Sequence, residues 1–282
     1  MSLSQAVTEL QNSSAEQTLA SQNLANEVAN KMGQIDLAVK SATADIPNKI
    51  RDYFDAIIYV KSDGEDLTYP RNGWNYKTIK GAIEVFPSGA YIKVVLMEGN
   101  HDIDSNITVA NKFIVLQGAG KTRTTVTFKK QVLGDTNQYV LYGFDLLRSY
   151  VHTIGLTYTS DLLQTDPIHS GHPHYCPMKL NFDSSFSFGC CQNQAIDGVF
   201  VLFAVIYPNT GTFGKFAANS LEVKGLLKKG LIGTYSGAHI SVLPTGLAMS
   251  ALDENGATAP VITGDIHRDT NGKALNVFGI EV

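Results

Sequence analysis

The first 46 residues constrain this chain most, because they carry a seven-residue register and contain no proline, no aromatic residue and a single glycine, Gly33. One row of the register is Leu3, Leu10, Gln17, Leu24 and Lys31. The other is Val7, Ser14, Ser21, Val28 and Ile35. Alternating four- and three-residue steps between the rows draw a seam along one face of a helix. The positions between are polar, among them Glu9, Gln11, Asn12, Glu16, Asn23, Asn26 and Glu27. At 1.5 Å per residue the helix would be roughly 65 Å long. Propensity alone leaves so polar a helix marginal in water, so its seam must be covered by copies of itself or by a partner. Leu3, Val7, Leu10, Leu24, Val28 and Ile35 are the residues predicted to carry self-association. Polar Ser14, Gln17 and Ser21 weaken the seam but help to set register and strand number, and the register itself does not choose dimer from trimer.

Composition changes near Pro47, which marks a boundary. The whole chain is 44% hydrophobic and 17% charged, with a formal net charge of −4. That balance offers no electrostatic case for nucleic acid or an anionic membrane. No apolar run reaches the roughly 18 residues of a membrane span; the longest, Val199 to Tyr207, reads as a buried strand. The N-terminus lacks the charged-then-apolar pattern of a signal peptide. Three cysteines, Cys176, Cys190 and Cys191, make a poor disulfide framework and suit folding in a reducing cytosol.

From Ala90 onward short apolar stretches recur between glycine or polar breaks: Tyr91–Met97, Phe113–Leu116, Val140–Phe144, Val151–Tyr158, Met178–Phe182, Gly198–Tyr207, Leu221–Leu227 and Leu231–Tyr235. Strands of four to eight residues bounded by Gly, Asn, Asp and Ser suit an all-β architecture. A sandwich prefers two-residue Asn-Gly or Asp-Gly hairpins. The stretch 90–130 instead places three short strands in every 20–24 residues, roughly, which is the rhythm of a parallel β-helix. About seven coils spaced ~4.8 Å apart would give a shaft near 35 Å. The predicted organisation is a coiled-coil stalk over 1–46, a linker and cap over 47–89, a β-helix body over 90–239, and C-terminal strands or a tip over 240–282.

Two motifs carry a resemblance. Tyr59-Val60-Lys61-Ser62-Asp63-Gly64-Glu65-Asp66, followed by Gly73-Trp74-Asn75-Tyr76-Lys77-Thr78-Ile79-Lys80-Gly81-Ala82-Ile83, resembles the start of the pectate-lyase-like β-helix of bacteriophage tailspikes and tail fibres. Leu116-Gln117-Gly118-Ala119-Gly120, followed by Thr124 or Thr125, Val126 and Phe128, is similar to a corner of the same β-helices. Ile79, Ala82, Ile83 and Phe86 form the apolar face of a short helix that would cover the open end of the first coil. The resemblance implies a mainly β chain with a right-handed parallel β-helix behind a coiled coil, assembled as a homotrimer. It also implies a place in the virion tail after synthesis in the host cytoplasm, tail or baseplate proteins as partners, and attachment to bacterial surface polysaccharide or lipopolysaccharide. A polysaccharide depolymerase of the tailspike type and a structural fibre adaptor are the alternatives.

The chemistry is sparse. Gly118-Ala119-Gly120-Lys121-Thr122 resembles the end of a phosphate loop, but Val115 stands where the pattern needs glycine, and the flanks read as strands. Glycoside cleavage needs two carboxyl groups about 5–9.5 Å apart in a groove. Glu98, Asp102, Asp104, Asp145, Asp161, Asp183 and Asp197 lie on or near the predicted coils; Glu98, Asp102 and Asp104 are the candidates taken forward, the last two sharing a strand face by spacing. For glycan contact the tyrosines matter, because sugars lay apolar ring faces on aromatic rings. Tyr139, Tyr142, Tyr158 and Tyr175 are the candidates within a dense run that also holds Tyr150, Phe182, Phe186 and Phe188. The phenylalanines are assigned to the core. No cofactor is expected beyond an axial metal ion, for which His172 and His174, at strand spacing beside His169 and Cys176, are the candidate ligands.

The seam predicts that the purified chain is not a monomer. Light scattering giving a monomer mass would overturn that expectation.

Overall fold

The computed structural model describes residues 2–134, 136–167, 176–181, 183–189, 194–206, 213–234, 238–264 and 266–280. Two compact units divide the chain, one of residues 1–50 and one of residues 51–282. In the first, α1 (Leu3–Phe54) buries none of its side chains. The predicted seam is on its surface, with Leu3 85%, Leu10 74%, Leu24 63% and Ile35 60% exposed, and Val7 and Val28 about half exposed. The helix runs past the expected stop at residue 46 and holds Pro47 inside it. Proline removes one helical hydrogen bond, and around Pro47 every residue is exposed, so water can take the freed carbonyl.

The second unit is mainly β, and among the described residues all but one pair of its strands run parallel. It opens with β1 (Asp55–Val60), β2 (Asn75–Tyr76) and α2 (Ile79–Glu84). The motif residues of this segment interlock. The Asp66 carboxylate accepts from the Lys77 and Thr78 amides at 2.9 and 3.0 Å and from the Thr78 hydroxyl at 2.6 Å. The Thr78 oxygen in turn accepts from the Gly81 amide at 2.8 Å, capping α2. Glycine is required twice by close approach: a Cβ at Gly64 would overlap the Tyr76 backbone, and one at Gly81 would overlap the Asp66 carboxylate. Ile79, Ala82, Ile83 and Phe86 are buried, as their spacing requires.

The strands then follow as turns. The first is β3 (Tyr91–Leu96), β4 (Gly99–Ile103) and β5 (Ile107–Ala110). The second is β6 (Phe113–Gln117) and β7 (Thr124–Phe128), an antiparallel hairpin of β8 (Lys130–Val132) and β9 (Tyr139–Leu141), and β10 (Phe144–Leu147). The third is β11 (Tyr150–Ile154), β12 (Thr157–Ser160) and β13 (Met178–Asn181). Each strand pairs in parallel with its counterpart one turn on: β3 with β6 and β6 with β11, β4 with β7 and β7 with β12, β5 with β10 and β10 with β13. Later turns lose a corner. After β14 (Ser185–Phe188), β15 (Gln194–Ile206) is one 13-residue strand that pairs with both β12 and β13. After β16 (Phe213–Ala218), β17 (Leu221–Thr234) is likewise one strand, of 14 residues, lying in parallel on β15. These continuous strands replace the separate short ones expected there. The bend survives at Gly198 and Gly225, where a Cβ on Gly225 would strike the Gly198 backbone. Residues 240–282 continue the stack through β18 (His239–Leu243), β19 (Leu247–Met249), β20 (Ile262–Gly264) and β21 (Val277–Phe278), on β16, β17, β17 and β18 respectively.

Inward side chains stack between turns into one core. Phe128 lies on Tyr158 (ring centroids 5.6 Å, planes 18° apart) and Phe186 on Phe216 (6.1 Å, 27°). At the start of this core, α2 lies against β5, an edge strand of its sheet. Glu84 accepts the Thr108 amide of that edge at 3.0 Å, and the buried Lys112 ammonium donates to the Ile83 carbonyl at 2.8 Å. One contact satisfies a strand amide on the open edge of β5, and the other a carbonyl in the last turn of α2. Burial pushes the Lys112 pKa below its ordinary value.

Asp66→Ala removes three charge-assisted hydrogen bonds and the brace of the α2 cap. It is expected to cost about 2 kcal/mol of stability, read as a lower denaturant midpoint at unchanged slope, while Asp63→Ala changes little.

Candidate binding groove and insertion lobe

One corner of the stack, from the third strand of each turn to the first strand of the next, repeats a left-handed backbone residue: Asn111 (φ 49), Arg148 (φ 49) and Asp183 (φ 57), with Gly89 (φ 87) before them. Backbone hydrogen bonds link them in sequence, Gly89 N to Asn111 O, Asn111 N to Leu147 O and Arg148 N to Asn181 O. Asn and Asp tolerate this conformation, whereas Arg148 holds it at a cost of about 1–2 kcal/mol. A buried hydroxyl ladder backs the corner. Ser149 Oγ accepts from the Lys112 amide at 3.1 Å and donates to the Val109 or Leu147 carbonyl at 2.9 Å, and Ser184 Oγ accepts from the Ser149 amide at 3.3 Å.

Outward of this corner the in-register residues Tyr91, Phe113 and Tyr150 form an aromatic stair. Tyr91 stacks on Phe113 at 5.0 Å and Phe113 on Tyr150 at 4.4 Å; Tyr91 is 43% and Phe113 39% exposed. Strand spacing of ~4.8 Å presses the rings face against face, so most of what they offer outward is edges and hydroxyls. The stair floors an open groove of about 410 Å³ whose rim carries Asn111, Arg148, Asp183 and Ser185. That volume falls in the range of small-ligand sites. A mixed set of amide, guanidinium, carboxylate and hydroxyl groups above an apolar floor suits a hydroxyl-rich ligand. Further along β11 and β14, beyond the lining residues, Ser187 Oγ lies 2.6 Å from the hydroxyl of Tyr150, which lines the groove, and 2.7 Å from His152 Nδ1. Desolvation lowers the His152 pKa.

A second feature is a lobe of two insertions, both between the second and third strands of a turn; its described residues are 129–134 and 136–143 in the first and 161–167, 176 and 177 in the second. The Tyr139 amide donates to the Pro167 carbonyl at 2.9 Å, and the Lys130 ammonium pairs with Asp166 at 2.8 Å while lying 4.5 Å from the centre of the Tyr139 ring. Lys129 joins Asp102 (3.4 Å) to Asp161 (3.9 Å).

The structure distributes the sequence-derived candidates unevenly. Tyr139 and Tyr142 lie together at the hairpin of the lobe, both half-buried. Tyr158 must be corrected: it is fully buried among Phe128, Phe186, Phe188 and Phe203, and cannot meet a glycan. Its inward position in β12 follows from strand alternation, and burial pushes its phenol pKa upward. Phe186 and Phe188 are core, as assigned. Tyr175, His172 and His174 lie outside the described residues, as do His169, Phe182, Cys190 and Cys191; Cys176 is buried. Among the carboxylates, Glu98 is held by Arg123 at 2.6 Å and Asp102 by Lys129, while Asp104 lies beyond the end of β4. None of the three lines the groove. The Gly118–Thr122 segment is a corner between β6 and β7, where Lys121 pairs with Glu222 at 2.9 Å and the Ala119 amide donates to Thr124 Oγ1 at 2.9 Å. Among the described residues no cluster of three or more metal-ligating side chains occurs, and no helix is long and apolar enough to cross a membrane. Sequence reasoning missed Tyr91, Phe113 and Arg148 as groove residues, while Asp183, one of the carboxylates it weighed, does line the groove. No protein-family model, curated protein or solved structure matches this chain.

The Tyr158 hydroxyl has no hydrogen-bond partner among the described residues, and the Thr153 hydroxyl is committed to Gln194 at 2.8 Å. Tyr158→Phe is therefore expected to stabilise the fold by about 1 kcal/mol in thermal or denaturant unfolding, with any glycan affinity unchanged.

Proposed function

We propose that the protein is a homotrimeric bacteriophage tail fibre that attaches the virion to bacterial surface glycan without cutting it. On this reading the helix forms a coiled-coil stalk and the stacked turns form a right-handed parallel β-helix. The observation that carries the proposal is the corner groove: an apolar stair rimmed by Asn111, Arg148, Asp183 and Ser185, open to solvent, on a rigid parallel scaffold. Asp183 is the one carboxylate among its lining residues, whereas acid–base cleavage of a glycosidic bond requires two. Arg148 adds support, since a non-glycine residue kept in a strained conformation at a groove is a mark of function. The helix supports the assembly half. Its apolar seam is fully on the surface of a single chain, and covering it with two further copies would give the stalk its stability. The insertion lobe supplies a second surface in keeping with attachment, because such loops carry specificity on a fixed frame.

Purified protein incubated with host cells and with isolated capsular or lipopolysaccharide glycan is expected to bind, to compete with phage adsorption, and to release no oligosaccharide. Release of short oligosaccharides would overturn the non-cleaving reading, and failure to bind would favour a structural adaptor. Arg148→Gly is expected to weaken glycan binding about tenfold, a loss of ~1.4 kcal/mol, because it removes the rim guanidinium while relaxing a strained backbone position.

A further inference from the structure

We propose that His152 sets which hydrogen-bond role the Tyr150 hydroxyl offers to a ligand in the groove, acceptor while the imidazole is neutral and donor once it is protonated. The inference rests on the groove being a glycan site. It adds a determinant of which sugar groups the site takes: O–H and N–H donors near neutral pH, ether and carbonyl acceptors in acid.

The geometry is a chain of three groups. Tyr150 Oη lies 2.6 Å from Ser187 Oγ, and Ser187 Oγ lies 2.7 Å from His152 Nδ1. Ser187 is 4% exposed, so its single proton must be used within the chain. A phenol is the best donor of the three groups, and a neutral imidazole nitrogen the best acceptor. The chain therefore runs from Tyr150 O–H to Ser187 Oγ, and from Ser187 O–H to His152 Nδ1, each bond polarising the next. The ring proton of His152 sits on Nε2, and the lone pairs of Tyr150 Oη are left for a ligand. When His152 gains a proton, Nδ1 becomes a donor to Ser187 Oγ. Ser187 must then turn its own proton to Tyr150 Oη, and the phenol proton turns out into the groove.

The surroundings keep this chain in place. The Tyr150 ring lies against Phe113 at 4.4 Å, tilted by 33°, and is nearly parallel to the His152 ring, 9° between planes at 6.2 Å. A Cβ on Gly189 would stand 2.9 Å from His152 Nε2, so glycine there leaves room for the ring. Among the described residues, the outward positions of the two strands that flank β11 carry no charge. Outward neighbours on β6 are Phe113, Val115 and Gln117, and on β14 they are Ser185 and Ser187. Lys93 on β3 and Lys215 on β16 lie one strand further out on either side. Arg148 and Asp183 lie at the corner that precedes β11 and β14. Desolvation holds the His152 pKa below the ordinary imidazole value, so the neutral arrangement is the one present near neutral pH. The sign follows from that direction. The unfolded chain takes up the His152 proton first as pH falls below about 6.5, so this residue's contribution to stability is lost across the window beneath that value.

The test uses the full chain labelled with ¹⁵N at histidine. Neutral His152 is expected as the Nε2–H tautomer, titrating below the free imidazole; in Ser187→Ala its pKa is expected to rise and the tautomer to become mixed. Methyl glucoside, with free hydroxyls, is expected to perturb the His152 ring ¹⁵N resonances about tenfold more strongly at equal concentration than its per-O-methyl ether at pH 7.5, and the gap is expected to close in acid. Tyr150→Phe is expected to abolish that pH dependence while leaving the tautomer as it was. An Nδ1–H tautomer with sugar binding intact overturns the relay alone. The expected tautomer with no binding of either sugar overturns the glycan reading of the groove, and with it the role assigned to Tyr150.

Discussion

Everything in the β unit depends on the parallel backbone ladder from one turn to the next. Because Ile92 pairs with Ile114 and Ile114 with Val151, each inward side chain rests on its counterpart above and below. The same register that stacks Phe186 on Phe216 inside also stacks Tyr91, Phe113 and Tyr150 outside. Core and surface are thus set by one pattern of hydrogen bonds, and a slip of one residue would exchange them. The ladder also explains the elaborate start. In the first turn β3 still has β1 before it, but β5 has no earlier strand, so Asp66 and Thr78 fix α2 at that edge and Glu84 takes the free Thr108 amide.

The first part of this fold was legible because its residues are constrained twice. Gly64, Asp66, Thr78 and Gly81 must fit one another at atomic contact, so their spacing in the sequence is rigid. Ile79, Ala82, Ile83 and Phe86 must also cover the core, and their helical spacing shows it. The turns from Tyr91 to Tyr158 were legible through alternation and through glycine at the corners. Beyond residue 160 two processes hide the rhythm. The insertion of residues 161–177 lengthens one turn, while β15 and β17 erase a corner and run on where a break was expected.

The groove was illegible for a different reason. Tyr91, Phe113 and Tyr150 are neighbours in space but 22 and 37 residues apart in the chain, the second interval stretched by the β8–β9 hairpin. Outward positions obey no hydrophobic period, so nothing local marks them. Aromatic density drew attention to 139–188, yet density cannot separate Tyr158, which alternation turns inward, from Tyr150, which it turns outward. Only the parity of each strand tells them apart, and parity needs the register. His152 and Ser187 meet for the same reason, since they are register partners on adjacent strands.

The two insertions leave the stack after β7 and β12 and rejoin it at β10 and β13, which sit directly on one another. Neither detour changes the rung at which the chain returns. Such an attachment is modular: the lobe can be lengthened, shortened or exchanged while every ladder bond above and below it is kept. A molecule built this way can vary that part of its surface as a cassette, separately from the frame that has to fold.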